Sequence, residues 1–118
     1  MSDQQLLDLA AKAAMRAGLK LECPDELDGV YVSRCSGRNG YTWNPLEDDG
    51  DALRLAVKLG IKMRWHAVLN QALAWPCAGH TLELQENGED HAGDPFAATR
   101  RAIVRAAAEI GKAMQEKH

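Results

Sequence analysis

The chain has 118 residues, of which 46% are hydrophobic and 26% are charged, and its net charge is −3 at pH 7. This length allows one compact domain, residues 1–118, whose core needs no metal ion or disulfide. The acidic balance disfavours nucleic acid as the main partner, because phosphate-binding proteins usually carry excess positive charge. No apolar run reaches the ~20 residues that a transmembrane helix requires, so we expect no membrane partner.

The N-terminal stretch and the cysteines predict the location of the protein. The stretch MSDQQLLDLAAKAAMRAG has no basic segment ahead of an apolar block, so we expect no signal peptide. The three cysteines (Cys23, Cys35 and Cys77) are odd in number and widely spaced. This pattern suits reduced thiols rather than a disulfide framework, and it predicts a soluble cytoplasmic protein.

The first predicted helix runs from about Asp3 to Ala17. Ser2 or Asp3 can cap its start, and Gly18 is a natural stop. Its apolar residues fall on one helical face, as in an amphipathic helix. A short strand, Val30-Tyr31-Val32, is predicted to follow.

The second predicted helix runs from about Asp51 to Leu59 and ends at Gly60. Its polar stripe consists only of Arg54 and Lys58. A short helix this apolar needs tertiary packing to form, so we expect it to be covered on most sides.

After Gly60 the period of the sequence changes to two, which indicates half-buried strands. Apolar and polar residues alternate over Ile61–Val68 and again over His80–Glu86, which is followed by a turn signal at Asn87-Gly88. Leu73-Ala74-Trp75 can add a further strand before Pro76.

The third predicted helix begins at Asp94-Pro95, where Asp94 is a good N-cap, and runs to about Gln115. Its inner stripe is predicted to be Phe96, Ile103, Ala107, Ile110 and Met114. The order of elements predicts an α+β domain with a small antiparallel sheet and helices packed on it.

The acids in WNPLEDDGDALRLAVKLG raise the question of a metal or catalytic site. A calcium loop of the EF-hand type fails here, because placing Gly50 at its glycine puts Pro45 and Ala56 at ligand positions. We interpret Asp48, Asp49 and Asp51 as helix-start residues that cap free N–H groups and meet the positive end of the helix dipole. Asn44-Pro45 enforces a break just ahead of them.

Arg100 is predicted to lie on the inner side of the third helix, near Phe96 and Ile103. An arginine there either reaches solvent or pairs with a carboxylate. Our hypothesis is a structural pair between Arg100 and one of Asp48, Asp49 or Asp51.

Catalytic and metal sites have weak sequence support. Cys77-x-x-His80 with His91 and one further cysteine supplies only half of a zinc signature. Ser33 and Ser36 lie outside any nucleophile motif, and the loop SGRNG lacks the lysine of a phosphate-binding loop. We therefore expect no enzymatic activity, no catalytic residues, no cofactor and no metal ion.

Two surfaces are candidates for interaction. One is the loop that carries Arg34, Arg38 and Asn39, since exposed loops often carry binding residues. The other is the basic stripe of the third helix, which consists of Arg101, Arg105 and Lys112. A solvated face is the preferred interpretation of the stripe, because acidic residues adjoin it and no aromatic residues interleave with it.

Two segments together resemble small proteins of unknown function encoded by bacteriophages and prophages. They are WNPLEDDGDALRLAVKLGI and GDPFAATRRAIVRAAAEIGKAM. In plan the chain is similar to the phage ABA-sandwich and NinX-like domains. The resemblance implies a thin antiparallel sheet of three or four strands sandwiched between three helices, in a protein of the bacterial host cytoplasm, and it brings no catalytic residues.

Three functions remain open at this point. The first is a phage or prophage accessory protein that binds a host protein, for example as an inhibitor of a host defence system, as anti-CRISPR proteins do. The second is a small anion- or nucleotide-binding protein that uses Arg34, Arg38 and helix N-termini. The third is a nucleic-acid-binding accessory protein that uses the final helix. The apolar second helix and the tryptophans fit a homodimer and core burial equally well.

Overall fold

The computed structural model describes residues 1–24, 29–33, 41–76 and 82–116. Within them the elements follow the predicted α+β class, with three helices and short antiparallel strands. They are α1 (Asp3–Arg16), β1 (Leu21–Glu22), β2 (Tyr31–Ser33), β3 (Tyr41–Trp43), α2 (Asp49–Leu59), β4 (Lys62–His66), β5 (Gln71–Trp75), β6 (Leu84–Asn87), a 3-10 helix (Gly88–His91) and α3 (Pro95–Glu116). No helix among these residues is long and apolar enough to cross a bilayer.

The helix ends follow the capping signals in the sequence. Ser2 and Gln5 form a capping box at the start of α1. The α2 helix begins two residues earlier than predicted, because the side chain of Asp48 accepts a hydrogen bond from the Asp51 N–H and so serves as N-cap. Gly60 ends α2 in the left-handed conformation, with φ of 66°, which glycine adopts without steric cost.

The strands form two small antiparallel sheets rather than one. The first has the order β1-β2-β3 and the second the order β4-β5-β6. Strands β1 and β3 were not predicted, because segments of two or three residues are too short to show a period of two. Trp43, at the end of β3, is buried, and its ring meets that of Tyr31 edge-on with centroids 6.1 Å apart.

Tyr31 joins the first sheet to α1. Its hydroxyl donates a hydrogen bond to Asp8 Oδ1 at 2.8 Å. Burial, the hydrogen bond to Asp8 and the charge of Asp8 raise the pKa of the Tyr31 phenol above its usual value. The phenol therefore stays protonated and holds this contact across the physiological pH range.

The second sheet is shorter than the alternation predicted. Strand β4 ends at His66 because residues 67–70 turn back into β5, with Asn70 in the left-handed region at φ of 53°. The predicted strand His80–Glu86 falls partly on residues 77–81, which lie outside the described residues, and its remainder pairs with β5 from Leu84 onward. Asn87-Gly88 leads into the 3-10 helix rather than a hairpin turn.

Helix α3 is the centre of the structure. It packs against α1, α2 and all three strands of the second sheet. Alanine occupies most of its buried positions, so neighbouring elements approach its backbone closely. The buried residues of α3 include Ala98, Ala102, Ile103, Val104, Ala106, Ala107 and Ala108.

Phe96 departs from the predicted inner stripe of α3. Its side chain is 66% exposed, whereas Ile103 on the same stripe is buried. The predicted cover over α2 is also incomplete, because Leu53 and Val57 are exposed beside the polar stripe of that helix. These apolar side chains extend beyond the packed core.

The contact between α1 and α3 gives a stability prediction. A Cβ atom at Gly111 would lie far inside van der Waals distance of the Leu9 carbonyl oxygen. In an open helix Gly→Ala gains up to about 1 kcal/mol, but here backbone must move, so we expect Gly111→Ala to cost about 2 kcal/mol. Urea unfolding monitored by circular dichroism measures this loss.

Gly50→Ala is the matched control for that substitution. Its added Cβ would meet the ends of the Arg54 and Asp48 side chains rather than the backbone of another helix, so we expect a smaller loss of stability than for Gly111→Ala. A Gly111→Ala protein as stable as the parent would contradict the close α1–α3 contact.

Candidate functional site

The acidic run at the start of α2 is organised around Asp51. Its carboxylate is buried, with 1% exposure. It accepts hydrogen bonds from the Asn44 N–H at 2.9 Å, from the Tyr41 hydroxyl at 3.2 Å and from Arg54 Nη2 at 2.9 Å. Three donors satisfy the buried charge, so Asp51 fixes the path of the chain from β3 into α2.

Arg100 contacts the first acid of α2. Its Nη1 lies 2.6 Å from Asp49 Oδ1, and its Nε donates a hydrogen bond to the Leu46 carbonyl oxygen at 2.9 Å. Of the three carboxylates in our hypothesis, Asp49 is therefore the one that faces Arg100, while Asp51 is engaged with Arg54. These two bonds tie the start of α2 to α3.

An apolar groove of about 410 Å³ lies beside this pair. It runs between α2, β4 and the first turns of α3, and we call it the apolar groove. Its apolar lining consists of Ala52, Leu53, Met63, Trp65, Pro95, Phe96 and Ile103, and its polar lining of Asp49, Thr99 and Arg100.

The groove forms because two elements share α3 without closing on each other. Both α2 and β4 pack on α3, but they make few contacts with one another. The pairing of Met63 with Ala74 and of Trp65 with Ala72 places both β4 side chains on the sheet face that holds the buried alanines. Since α3 lies mainly over β5 and β6, Met63 and Trp65 are left beside the groove.

Large apolar side chains around the groove are exposed to solvent. Leu53 is 57% exposed, Met63 is 42% exposed and Phe96 is 66% exposed, and Val57 continues the same face of α2 at 72%. Isolated exposed apolar residues are common, but a contiguous set around a concavity is typical of an interaction site.

The polar groups of the groove are already satisfied. Thr99 Oγ1 donates a hydrogen bond to the Pro95 carbonyl oxygen at 2.8 Å, and Asp49 and Arg100 bind each other. The apolar groove thus offers surface for apolar side chains, and its lining contains no pair of groups arranged for acid–base or nucleophilic chemistry.

None of the residues predicted for interaction is among the residues that line the apolar groove. Arg34, Arg38 and Asn39 fall outside the described residues. Lys112 is exposed on α3, but Arg101 and Arg105 are engaged within the protein, so the basic stripe is not a row of unpaired cations. This differs from the solvated face that we expected.

Glu86 contacts both arginines of this stripe. It accepts a hydrogen bond from Arg105 Nη1 and contacts His91 Nε2 at 2.8 Å and Arg101 Nε at 3.7 Å. Arg101 Nη1 also lies 2.7 Å from Asp3 Oδ1. This cluster ties α3 to β6, to the 3-10 helix and to the start of α1.

The zinc hypothesis falls mostly outside the described residues. Cys35, Cys77 and His80 are among those not described, Cys23 is an exposed free thiol, and His91 contacts Glu86. Among the residues that the structure describes, no group of three histidine, cysteine, aspartate or glutamate side chains could hold a metal ion.

Comparisons with protein-family models, with curated proteins and with solved structures found no match to this chain. The resemblance to phage-encoded domains stays a prediction.

Sequence reasoning missed the apolar groove because it assigned each large apolar residue to the core. One signal was available in α2. Leu53 and Val57 are four residues apart and adjoin the polar pair Arg54 and Lys58, so they share a side of the helix with charged residues. No comparable sequence signal marked Phe96. On a helical wheel it occupies the position of a core residue, but it lies at the N-terminal end of α3.

Removal of the Asp51 charge tests the role of that residue. In Asp51→Asn a neutral amide replaces a carboxylate that binds three donors, so we expect a loss of about 3 kcal/mol in unfolding free energy. Asp49→Asn, the control, removes an exposed partner and should cost less than ~1 kcal/mol. Similar losses in urea unfolding of the two variants would contradict the difference in burial.

Proposed function

We propose that this protein acts by protein–protein interaction and that the apolar groove binds the apolar face of a helix from a partner protein. The observation that carries the proposal is the set of exposed Leu53, Met63 and Phe96 side chains around one concavity. Helix-in-groove recognition uses such a surface, with anchor side chains at successive turns of the bound helix.

The size and chemistry of the groove support a peptide segment as occupant. Its volume of about 410 Å³ lies at the small end of ligand-binding clefts, which span roughly 300–1,000 Å³. It therefore suits a few apolar side chains. A phosphate or carboxylate would find its one cation, Arg100, already held by Asp49 and Leu46.

The identity of the partner rests on the resemblance to phage and prophage proteins. On that basis we propose a host protein of the bacterial cytoplasm, with inhibition of a defence system as the biological role. Binding in the groove would act by occlusion of the partner's own contact surface, which requires no chemistry from this protein.

A capture and titration experiment tests the proposal. The tagged protein is used to capture partners from bacterial cells, and the identified partner is then purified and titrated against the parent protein and Leu53→Ser and Phe96→Ser. Central apolar anchors contribute about 2 kcal/mol or more, so each variant should weaken binding by roughly 30-fold.

Val68→Ser is the control, because Val68 is 89% exposed in the turn after β4 and lies outside the groove. It should leave the affinity unchanged. Equal weakening by Val68→Ser, or full affinity of Leu53→Ser and Phe96→Ser, would overturn the proposal. Dimers that Leu53→Ser dissociates in light-scattering measurements would assign the groove to a second copy of this chain.

A further inference from the structure

The second sheet has an outer face whose chemistry differs from the rest of the protein. Residues paired across the strands share a face, so the pairing of Lys62 with Trp75, Arg64 with Leu73 and His66 with Gln71 places these side chains together. The outer face, as we call it, comprises Lys62, Arg64, His66, Gln71, Leu73, Trp75, Gln85 and Asn87.

No helix that the structure describes packs closely on the outer face. The buried residues Ala72, Ala74 and Leu84 all lie on the opposite face, which is the side that α3 covers. On the outer face Lys62, Arg64 and Gln85 are exposed, whereas His66 and Trp75 are half-buried. The outer face is therefore a surface directed toward solvent.

The charge of the outer face opposes that of the whole chain. The protein has 17 acidic and 14 basic residues, yet none of the outward residues of the three strands, all of which the structure describes, is acidic. Glu86 points to the α3 side, and among the described residues the exposed Glu83, just before β6, borders the face. The face thus forms a local positive surface.

Two cations and a histidine are arranged in a row. Lys62, Arg64 and His66 alternate along β4, which separates neighbours by about 6.7 Å. His66 Nδ1 accepts a hydrogen bond from the Leu69 N–H at 3.3 Å, which leaves Nε2 of the neutral ring as an N–H donor. Arg64 makes no ion pair with any described residue.

An aromatic ring adjoins this row. The Lys62 ammonium lies 4.9 Å from the centre of the Trp75 ring. A base that stacks on Trp75 would take the place of this ammonium, which is then free to meet the adjoining phosphate. Arginine, lysine and an aromatic ring on an open sheet are the groups that bind single-stranded nucleic acid, and an amide such as that of Gln85 can contact base edges.

We infer that the outer face binds single-stranded nucleic acid, with Lys62, Arg64 and His66 on the phosphates and Trp75 against a base. This surface is distinct from the final helix, whose Arg101 and Arg105 are held by Asp3 and Glu86. It also lies on the opposite side of β4 from the apolar groove, so the two sites can be tested separately.

Binding of labelled deoxythymidine and uridine 20-mers, measured by fluorescence anisotropy, tests the inference. We expect the logarithm of the affinity to fall with the logarithm of salt concentration at a slope of about −1.4, which is −0.7 for each of Lys62 and Arg64. Arg64→Glu should weaken binding by roughly tenfold and reduce the slope.

Lys112→Glu is the charge-matched control, because it makes the same change on exposed α3. It should leave the affinity within twofold of the parent. Trp75→Leu should weaken binding by roughly tenfold, while Trp75→Phe, which keeps an aromatic ring, should restore most of it. Thermal unfolding establishes that each variant is folded.

Several outcomes would overturn the inference. They are absence of binding to either 20-mer at low salt, equal weakening by Arg64→Glu and Lys112→Glu, and binding to phosphatidylserine vesicles without binding to the 20-mers. None of these results bears on Leu53→Ser and Phe96→Ser, so failure here leaves the apolar groove intact, and failure of the groove leaves this surface intact.

Discussion

The close packing of neighbouring elements on α3 is the constraint on which the rest of the structure depends. Alanine buries little area per residue, so each buried position of α3 contributes less than a leucine would. Close contact offsets the small contribution of each alanine, because small side chains allow many atoms of two backbones to touch. Gly111 marks the limit, since even one methyl group there collides with α1.

A helix that supports three neighbours leaves its ends incompletely covered. Arg100 anchors the start of α2 through Asp49 and Leu46, and Asp51 fixes the chain that enters it. Because these contacts hold the start of α2 in place, Phe96 and Leu53 face a space that β4 does not fill. The apolar groove is thus set by polar bonds outside its apolar lining.

The sequence predicted the helices far better than the strands. Caps such as Asp48 and Gly60 are local signals, so helix ends were placed within two residues. Strands β1 and β3 have two and three residues, which is too few to show a period of two. The apolar groove was missed for a different reason, because the exposure of Phe96 depends on where α2 and β4 end.

Strand β4 serves both candidate surfaces through the alternation of its side chains. Met63 and Trp65 line one side, and Lys62 and Arg64 occupy the other. Because the repeat is two residues, inserting or deleting one residue ahead of β4 would exchange the two sides completely. The number of residues between Gly60 and the strand therefore decides which side chains lie on each candidate surface, and neither surface can change its register without the other.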